Sequence, residues 1–218
     1  MTDDSASAAA GSGRRGSYAK GLAKREEILA RALDVIAREG YRGASVKEIA
    51  DAVGLSQAGL LHYFDSKEEL FTAVLRKRDE IDAGSFAVDD PAVDLTQLRN
   101  GYVQVVRHNG EVAGLVQLFS RLAVDAADPD HPAHEYFVSR GDQLRATFGE
   151  TIRAAQASGR ITDRVDADTL ARMFQALSDG LQLQWMLDPS LDMSATVDAM
   201  FDLLQVTEPP APPGDGLT

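Results

Sequence analysis

The chain has 218 residues, 44% of them hydrophobic, and its 22 Lys+Arg against 34 Asp+Glu give a formal net charge of −12. This composition is typical of a globular protein, and the absence of cysteine excludes disulfides, thiolate metal sites and thiol nucleophiles. The sequence contains neither an apolar leader nor a run of about 18 apolar residues, so we expect a soluble cytoplasmic protein without a membrane partner.

The charge is unevenly distributed along the chain. Residues 14–63 contain nine Lys/Arg and six Asp/Glu, whereas residues 81–218 contain nine Lys/Arg and 21 Asp/Glu. Acidic surfaces repel nucleic acid, but a basic N-terminal part would allow a duplex to approach that end of the molecule.

The first elements are predicted by composition and helical spacing. Residues 1–17 are rich in Ala, Ser and Gly, and we expect them to form a disordered arm. Apolar residues at helical spacing predict a first helix over 18–39, which Gly40 ends as a left-handed C-terminal residue. Ser45 and Glu48 have the spacing of a capping box and begin the second helix.

A sharp turn and two further caps follow. Gly54 supplies the positive φ of the turn, and Ser56 caps a short third helix. Ser66 and Glu69 have the spacing of another capping box, which begins a fourth helix that ends near Ala83. Three caps so close together define the helix boundaries of this segment.

Five more helices are predicted in the remainder, mostly separated by Asp-rich breaks that contain proline. Their approximate ranges are 92–109, 111–126, 133–158, 166–187 and 192–206. No alternating strand pattern is found, so the predicted fold is all-α with about nine helices. The Pro/Gly-rich residues 208–218 are expected to be a disordered tail.

The short third helix has an unusual outer side for a solvated surface. Gln57 lies on its first turn, and glutamine can form two hydrogen bonds to adenine in the major groove. Ala58 and Gly59 have little bulk, so the backbone can approach closely. This pattern is typical of the recognition helix of a helix-turn-helix DNA-binding domain.

Side chains next to this helix extend the predicted surface. His62 and Tyr63 are expected to point outward and are long enough to reach a phosphate or a base edge. Lys47 and Lys67 lie on the first turns of the neighbouring helices and add cations on either side. An outward Gln or Lys taken alone is usually just solvated, and Tyr63 could also belong to the core, but the combination of these residues favours DNA binding.

The run REEILARALDVIAREGYRGASVKEIADAVGLSQAGLLHYFDSKEEL resembles the DNA-binding domain of the TetR family of bacterial transcriptional regulators, over about a quarter of the chain. The resemblance implies an all-α homodimer, commonly a repressor, that binds a palindromic or near-palindromic operator and responds to a small molecule. It places base-contacting or groove-lining sites on Lys47, Gln57, Ala58, Leu61 and His62, and phosphate contacts on Ser45, Tyr63 and Lys67. Leu61 stands where many members carry tyrosine, so a polar contact there becomes an apolar one, such as contact with a thymine methyl.

The resemblance also implies a division of the chain. Residues 18–65 would form the helix-turn-helix domain, 66–83 a connecting helix, and 84–207 a ligand-binding and dimerisation domain. The apolar-faced segments 166–187 and 192–206 resemble the helix pair that forms the family's dimer interface. The alternative is that both segments pack inside the monomer.

Aromatic and polar residues of the central helices are candidates to line an effector pocket, although each alone is compatible with ordinary core or surface. These residues are Tyr102, Gln117, Phe119, Arg121, Phe137, Met173, Gln182 and Trp185. Such a pocket would be largely apolar with a few polar groups, which suits a hydrophobic or amphipathic molecule.

Residues 128–135 (DPDHPAHE) concentrate possible metal ligands, but a helix start with acids near the positive end of its dipole is the favoured interpretation. We therefore expect no metal and no cofactor. The chain also lacks a phosphate-binding glycine loop and a recognisable catalytic triad, so we do not expect an enzyme. The alternatives are a helix-turn-helix used for protein contacts and a helical metal-binding protein without DNA function.

Overall fold

The computed structural model describes residues 7–86 and 94–206 of the chain. Within these ranges the regular structure is α-helical, and the only extended pairing is a bridge between Ile161 and Gln205. The predicted all-α fold is confirmed. The helices are α1 Ser7–Gly43, α2 Val46–Ala52, α3 Gln57–Leu61, α4 Lys67–Phe86, α5 Leu95–Asn109, α6 Ala113–Asp125, α7 His134–Ala157, α8 Ala167–Leu187 and α9 Met193–Leu204.

The first helix is longer than predicted, because it begins at Ser7 inside the arm that we expected to be disordered. Its regular geometry stops at Gly40, which has a φ of 72°, as predicted. Residues 1–6 and the predicted tail at 208–218 lie outside the described residues.

The capping residues hold the backbone as the sequence indicates, with one difference. Ser45 Oγ accepts the Glu48 N–H at 3.2 Å, and the Glu48 carboxylate accepts the Ser45 N–H at 2.6 Å. Ser66 Oγ likewise accepts the Glu69 N–H at 3.0 Å. The Glu69 carboxylate, however, accepts the N–H of Asp65 rather than that of Ser66, so the second capping box is shifted by one residue.

The chain divides into two compact units. The first comprises Met1–Ser85 and His108–Arg140, and the second comprises Phe86–Arg107 and Gly141–Thr218. This division differs from the domain boundaries expected from the sequence, because α6 and the start of α7 pack with the N-terminal helices. Among the helices of the described segments, none is long and apolar enough to cross a bilayer.

The core of the first unit is formed by α1–α4 and α6. Its buried side chains include Ile28, Ile36, Ile49, Leu60, Phe64, Leu70, Leu118 and Phe119. Gly114 allows α6 to touch α1, because a Cβ at this position would lie 2.0 Å from the Ile36 carbonyl oxygen. The α1–α6 contact is therefore a backbone contact that admits no side chain.

An aromatic cluster forms the centre of the second unit. The Tyr102 and Phe148 rings have centroids 4.7 Å apart, and those of Phe174 and Phe201 are 4.4 Å apart. The buried Tyr102 hydroxyl donates to Ser178 Oγ at 2.6 Å. Aromatic packing and a satisfied polar group together join α5, α7, α8 and α9.

Candidate nucleic-acid interface

The short helix α3 is held against α1 by its inward side chains and by Arg25. Leu60 and Phe64 are 0% and 1% exposed. The Arg25 guanidinium lies 4.2 Å from the Phe64 ring centroid and donates hydrogen bonds to the Tyr63 carbonyl at 2.8 Å and the Glu69 carboxylate at 3.2 Å. One side chain thus connects α1 with the end of α3 and the start of α4, which orients α3.

The turn before α3 is held at both ends. Lys24 Nζ donates to the Val53 carbonyl at 3.1 Å, and Gly54 adopts a φ of 69°. Ser56 Oγ then accepts the Gly59 N–H at 3.0 Å. These contacts define the two helices and the intervening turn as a rigid local structure.

Four side chains form the outward face of α3 and its C-terminal cap. Gln57, Ala58, Leu61 and His62 are all exposed. Their spacing of i, i+1, i+4 and i+5 places them on one side of a helix. The surface therefore combines an amide, a methyl, an isobutyl and an imidazole group on the side that Arg25 keeps away from α1.

Gly59 and Tyr63 are less exposed than predicted. Both are half-buried, and a Cβ at Gly59 would lie 3.2 Å from Ser56 Oγ, so the glycine also accommodates the helix cap. Tyr63 packs against the core of the first unit, with its ring centroid 6.0 Å from that of His62. The chain leaves α3 at Leu61, and this exit turns Tyr63 partly inward.

Lys47, Lys67 and Ser45 lie beside this face. Lys47 is 69% exposed, with Nζ 3.5 Å from the Asp51 carboxylate, and Lys67 is exposed, with Nζ 5.3 Å from the Phe71 ring centroid. The Ser45 hydroxyl and N–H both donate to the Glu48 carboxylate, and these hydrogen bonds lower the pKa of Glu48. The two lysines are accessible to phosphate, whereas the capping box occupies the donors of Ser45.

A buried ionic group was not predicted from the sequence. The Asp79 carboxylate accepts hydrogen bonds from Arg78 at 2.8 Å, the Tyr136 hydroxyl at 2.6 Å and Arg140 Nε at 2.9 Å. The Arg78 and Arg140 guanidinium groups lie 5.1 and 4.9 Å from the Phe119 ring centroid. This group joins α4, α6 and α7 within the first unit.

The environment shifts the titration of this ionic group. Burial alone would raise the pKa of Asp79, but Arg78, Arg140 and the Tyr136 hydroxyl together lower it below its ordinary value. Burial raises the pKa of Asp82 and, together with Asp79, that of Tyr136. Asp82 therefore carries its negative charge less favourably than Asp79 does.

Spacing along α4 could have revealed these buried charges. Val74, Arg78 and Asp82 lie four residues apart, and all three are buried. A charged residue at a position that continues an inward apolar stripe is a sign of a buried ion pair.

The residues predicted to line an effector pocket fall in both units. Gln117, Phe119, Arg121 and Phe137 belong to the first, and Tyr102, Met173, Gln182 and Trp185 to the second. Phe119 is 5% exposed and packs edge-on against Phe137, with ring centroids 5.1 Å apart. In the second unit Tyr102 and Gln182 are buried, whereas Met173 is 45% exposed.

The second unit contains a narrow crevice that does not admit even a water molecule in this structure. It is lined by Tyr102, Leu144, Phe148, Ala171, Phe174 and Gln175, of which only Tyr102 was predicted. Most of the others are apolar residues at helical spacing, which the sequence does not distinguish from ordinary core. A second, open groove of about 480 Å³ is lined mainly by charged residues of α7 and α8, including Arg145 and Arg172.

The histidines of residues 128–135 take part in local hydrogen bonds. His131 Nδ1 accepts the Ala133 N–H at 3.1 Å, and His134 Nδ1 lies 2.9 Å from the Ala126 carbonyl oxygen. Across the described part of the chain, no group of three or more His, Cys, Asp or Glu side chains is placed to hold a metal ion. Residues 128–133 form turns, and α7 begins at His134.

Comparisons with known proteins agree with this geometry. The profile for bacterial regulatory proteins of the tetR family matches residues 28–74, and that for the C-terminal part of BetI-type transcriptional repressors matches residues 126–206. The HTH-type transcriptional repressor AcnR of Corynebacterium efficiens is 36% identical over 197 residues, which cover 87% of this chain and 93% of AcnR.

Two further similarities concern only part of the chain or only its fold. The HTH-type transcriptional regulator RutR of Escherichia coli K12 is 46% identical over 55 residues, but these cover only 25% of this chain and 26% of RutR. The crystal structure of a TetR transcription regulator from Haloarcula marismortui superposes with a TM-score of 0.67 at 23% identity, covering 85% of this chain and all of that one (100%). The latter similarity concerns the fold alone.

The capped helices, the glycine turn and the outward face of α3 define a helix-turn-helix DNA-binding domain on an all-α protein. The similarity to AcnR extends over nearly the whole length of both chains, so it shows the family of the protein as well as its class. The chain belongs to the TetR family of bacterial regulatory proteins, and its class is that of a regulator rather than an enzyme.

Proposed function

We propose that the chain is a transcriptional repressor that occupies a palindromic or near-palindromic operator as a homodimer and releases it when a small molecule binds. The exposed face of α3 carries this proposal, because Leu60, Phe64 and Arg25 hold that face outward in one orientation. A major groove about 12 Å wide accepts one α-helix presented in this way. Repression is favoured by the similarity to AcnR, itself a repressor by name.

The residues of the interface divide by role. Gln57, Ala58, Leu61, His62 and Lys47 are proposed to contact base edges or line the groove. Tyr63 and Lys67 are proposed to contact phosphate, which positions the protein without selecting sequence. Ser45 is the weakest phosphate contact of the set, because the Glu48 carboxylate already accepts from both of its donors.

A second copy of the chain is proposed to cover an exposed apolar stripe on α8. Met173, Ala176, Gly180, Leu183 and Leu187 recur with alternating spacings of three and four residues, and Leu183 and Leu187 are 57% and 82% exposed. This spacing is typical of a helix that packs against another helix. Leaving so much apolar surface in water is unfavourable, so a symmetric partner would stabilise it.

The neighbouring helix α9 extends this surface. Leu203 is 79% exposed. Arg99 on α5 donates to Asp198 at 2.6 Å and to Asp202 at 2.7 Å, which fixes the rotation of α9 within the second unit. A two-fold dimer of this kind would present two recognition helices about 34 Å apart, one helical turn of DNA.

Control by a small molecule completes the proposal. The apolar side chains around the crevice of the second unit, including Phe148 and Phe174, suit a largely apolar effector, which would have to displace them to enter. The proposed division is a DNA-binding domain at 18–65, the connecting helix α4, and a ligand-binding and dimerisation part that follows. A coupling of about 1–3 kcal/mol between effector and operator would change operator affinity 5- to 150-fold. Such a repressor would act in the cytoplasm.

The rival functions have less support. A metal-binding role lacks a converging ligand set among the described residues. A helix-turn-helix that contacts only proteins would not need the exposed Gln57 and His62 beside the accessible Lys47 and Lys67. Salt dependence distinguishes the two helix-turn-helix functions, because binding to phosphates weakens steeply as salt rises.

Selection of duplexes from a random pool by the purified full chain tests the proposal. We expect enrichment of a palindromic motif whose affinity falls at least tenfold between about 50 and 200 mM salt. Failure to enrich any motif would contradict operator binding.

A screen for small molecules that release the selected duplex then tests control by an effector. A compound that releases the duplex should also raise the melting temperature of the free protein, since ligand binding stabilises the folded state. A screen in which no compound both releases the duplex and stabilises the protein would count against small-molecule control.

A further inference from the structure

Leu61 is an apolar side chain on a surface that otherwise carries polar or very small groups. It is 38% exposed, whereas its neighbour Leu60 is fully buried. A single exposed leucine is ordinary on a protein surface. Its place is what matters, because it lies on the outward face of α3 four residues after Gln57 and next to His62.

The position of Leu61 is fixed before any DNA binds. Leu60 and Phe64 anchor the inward side, the Ser56 cap holds the start of α3, and Arg25 holds the Tyr63 carbonyl. Side chains at i and i+4 lie one above the other, so Gln57 and Leu61 form an adjacent pair. The outward face of α3 thus presents one hydrogen-bonding side chain and, one helical turn further on, one apolar side chain.

The chemistry of the major groove restricts what Leu61 can face. Leucine has no donor or acceptor, so a base edge rich in hydrogen-bonding groups would lose water without replacement. In unmodified DNA the C5-methyl group of thymine is the apolar group that base edges display in the major groove. We propose that Leu61 reads a thymine methyl in each operator half-site, beside the base contacted by Gln57. This inference rests on the proposed operator binding.

Replacement of thymine by deoxyuridine isolates this contact, since it removes only the methyl group. Each thymine of the selected operator is replaced in turn, symmetrically in both half-sites, and the dissociation constants are compared. The wild-type chain should lose about three- to fivefold in affinity per half-site at one position, the loss expected for one buried methyl group.

Two variants connect that loss to Leu61. Leu61→Ala and the similarly sized, polar Leu61→Asn should bind the thymine and deoxyuridine duplexes equally well. Val124→Ala, at a 74% exposed position on α6, is the matched control and should retain the full difference. Because Leu61 is not part of the buried core, thermal melting of both variants should stay close to that of the wild type.

Two results would overturn the inference. One is an operator in which no thymine position distinguishes thymine from deoxyuridine for the wild-type chain. The other is retention of the full difference by Leu61→Ala or Leu61→Asn. Either result leaves the palindromic motif and its salt dependence intact, whereas failure of the proposed function would remove sequence-preferring binding altogether.

Discussion

The proposed roles of individual residues at the DNA interface can be tested separately. Gln57 is exposed on the first turn of α3, where its amide can pair with a base edge, and Lys67 stands at the start of α4 as an accessible cation. Tyr63 is half-buried and packs against the core, so its substitution would disturb structure as well as phosphate contact. Substitutions of Gln57 and Lys67 therefore test DNA contacts more directly than substitution of Tyr63 does.

Gln57→Ala is expected to change which sequence is preferred, whereas Lys67→Ala should weaken binding to all sequences alike. Loss of a bidentate contact costs about 1–3 kcal/mol of discrimination at one base pair. Loss of one phosphate contact instead reduces the salt slope by about one. Competition assays with single-base operator variants measure both effects, and a uniform weakening by Gln57→Ala would contradict its base-reading role.

Two carboxylates of α4, the half-buried Asp79 and the buried Asp82, provide a second comparison at this scale. Asp79→Asn should destabilise the protein by about 2–3 kcal/mol, because it leaves Arg78 and Arg140 without their shared anion. Asp82→Asn should instead raise the stability, since it removes a charge that burial disfavours despite the neighbouring Arg78. Urea unfolding at pH 7 measures both variants, and equal losses for the two would refute this difference.

The pH dependence of stability follows from the same two pKa shifts. Because the pKa of Asp79 is lowered in the fold, its stabilising contribution is complete above its ordinary pKa and disappears as the pH falls through the lowered value. The raised pKa of Asp82 has the opposite sign, so its ionisation costs stability as the pH rises. The acid-side loss of stability should therefore be smaller in Asp79→Asn, and unfolding curves measured between about pH 5 and pH 2, across the window in which Asp79 titrates, would show this.

At the scale of elements, the contact between α1 and α6 is closer than side chains allow. Gly114 lies against the Ile36 carbonyl and the Gly40 backbone, where α1 ends its regular geometry. The helix that carries Arg25, and thereby orients α3, is thus in direct contact with a helix from the middle of the chain. A displacement of α6 would be transmitted to α1 through backbone atoms, because these atoms cannot change rotamer to relieve the contact as a side chain can.

Gly114→Ala is expected to destabilise the protein by about 2–3 kcal/mol, because its methyl group would overlap the Ile36 backbone. Gly21→Ala on α1 is the control, since a Cβ there meets no atom within 4 Å and alanine favours the helix by up to about 1 kcal/mol. Thermal or urea unfolding measures both. If Gly114→Ala melted with the wild type, the close crossing of α1 and α6 would be incorrect.

At the scale of the whole molecule, the mildly basic segment and the exposed apolar stripe lie in different parts of the chain. Acidic residues are concentrated in residues 81–218, whereas the helix-turn-helix lies in the mildly basic N-terminal part. The exposed apolar stripe of α8 lies in the second unit, which also contains the aromatic core around Phe174. The proposed DNA-binding surface and the proposed self-association surface therefore lie in separate units of one chain.

Leu187→Glu combined with Leu203→Glu should produce a folded monomer, because both side chains are largely exposed within one protomer. Sedimentation measures the oligomeric state, and Val124→Glu on α6 is the control at a similarly exposed position. Loss of the paired half-sites should lower operator affinity at least about 100-fold. A double variant that remained a dimer would exclude this stripe as the interface.

Local signals in the sequence explain how much of the DNA-binding part could be predicted. The caps at Ser45 and Ser56, the turn at Gly54 and the stop at Gly40 depend on residues a few positions apart, so they are readable without the fold. The exposure of Gln57 and Leu61 follows from helical spacing once Leu60 is placed inward. The proposed effector site was less predictable, because apolar residues that could line it have the same spacing as ordinary core.

The sequence by itself determined most of the helices and caps, the helix-turn-helix and the family, because backbone hydrogen bonds and apolar periodicity are local properties. Only the tertiary structure decided that Tyr63 is half-buried, that α6 packs on α1 at Gly114, and that Asp79 is enclosed by arginines. The physical reason is that burial and electrostatics depend on groups that the fold brings together from distant parts of the chain. A residue's own neighbours in sequence do not specify which of those groups it will meet.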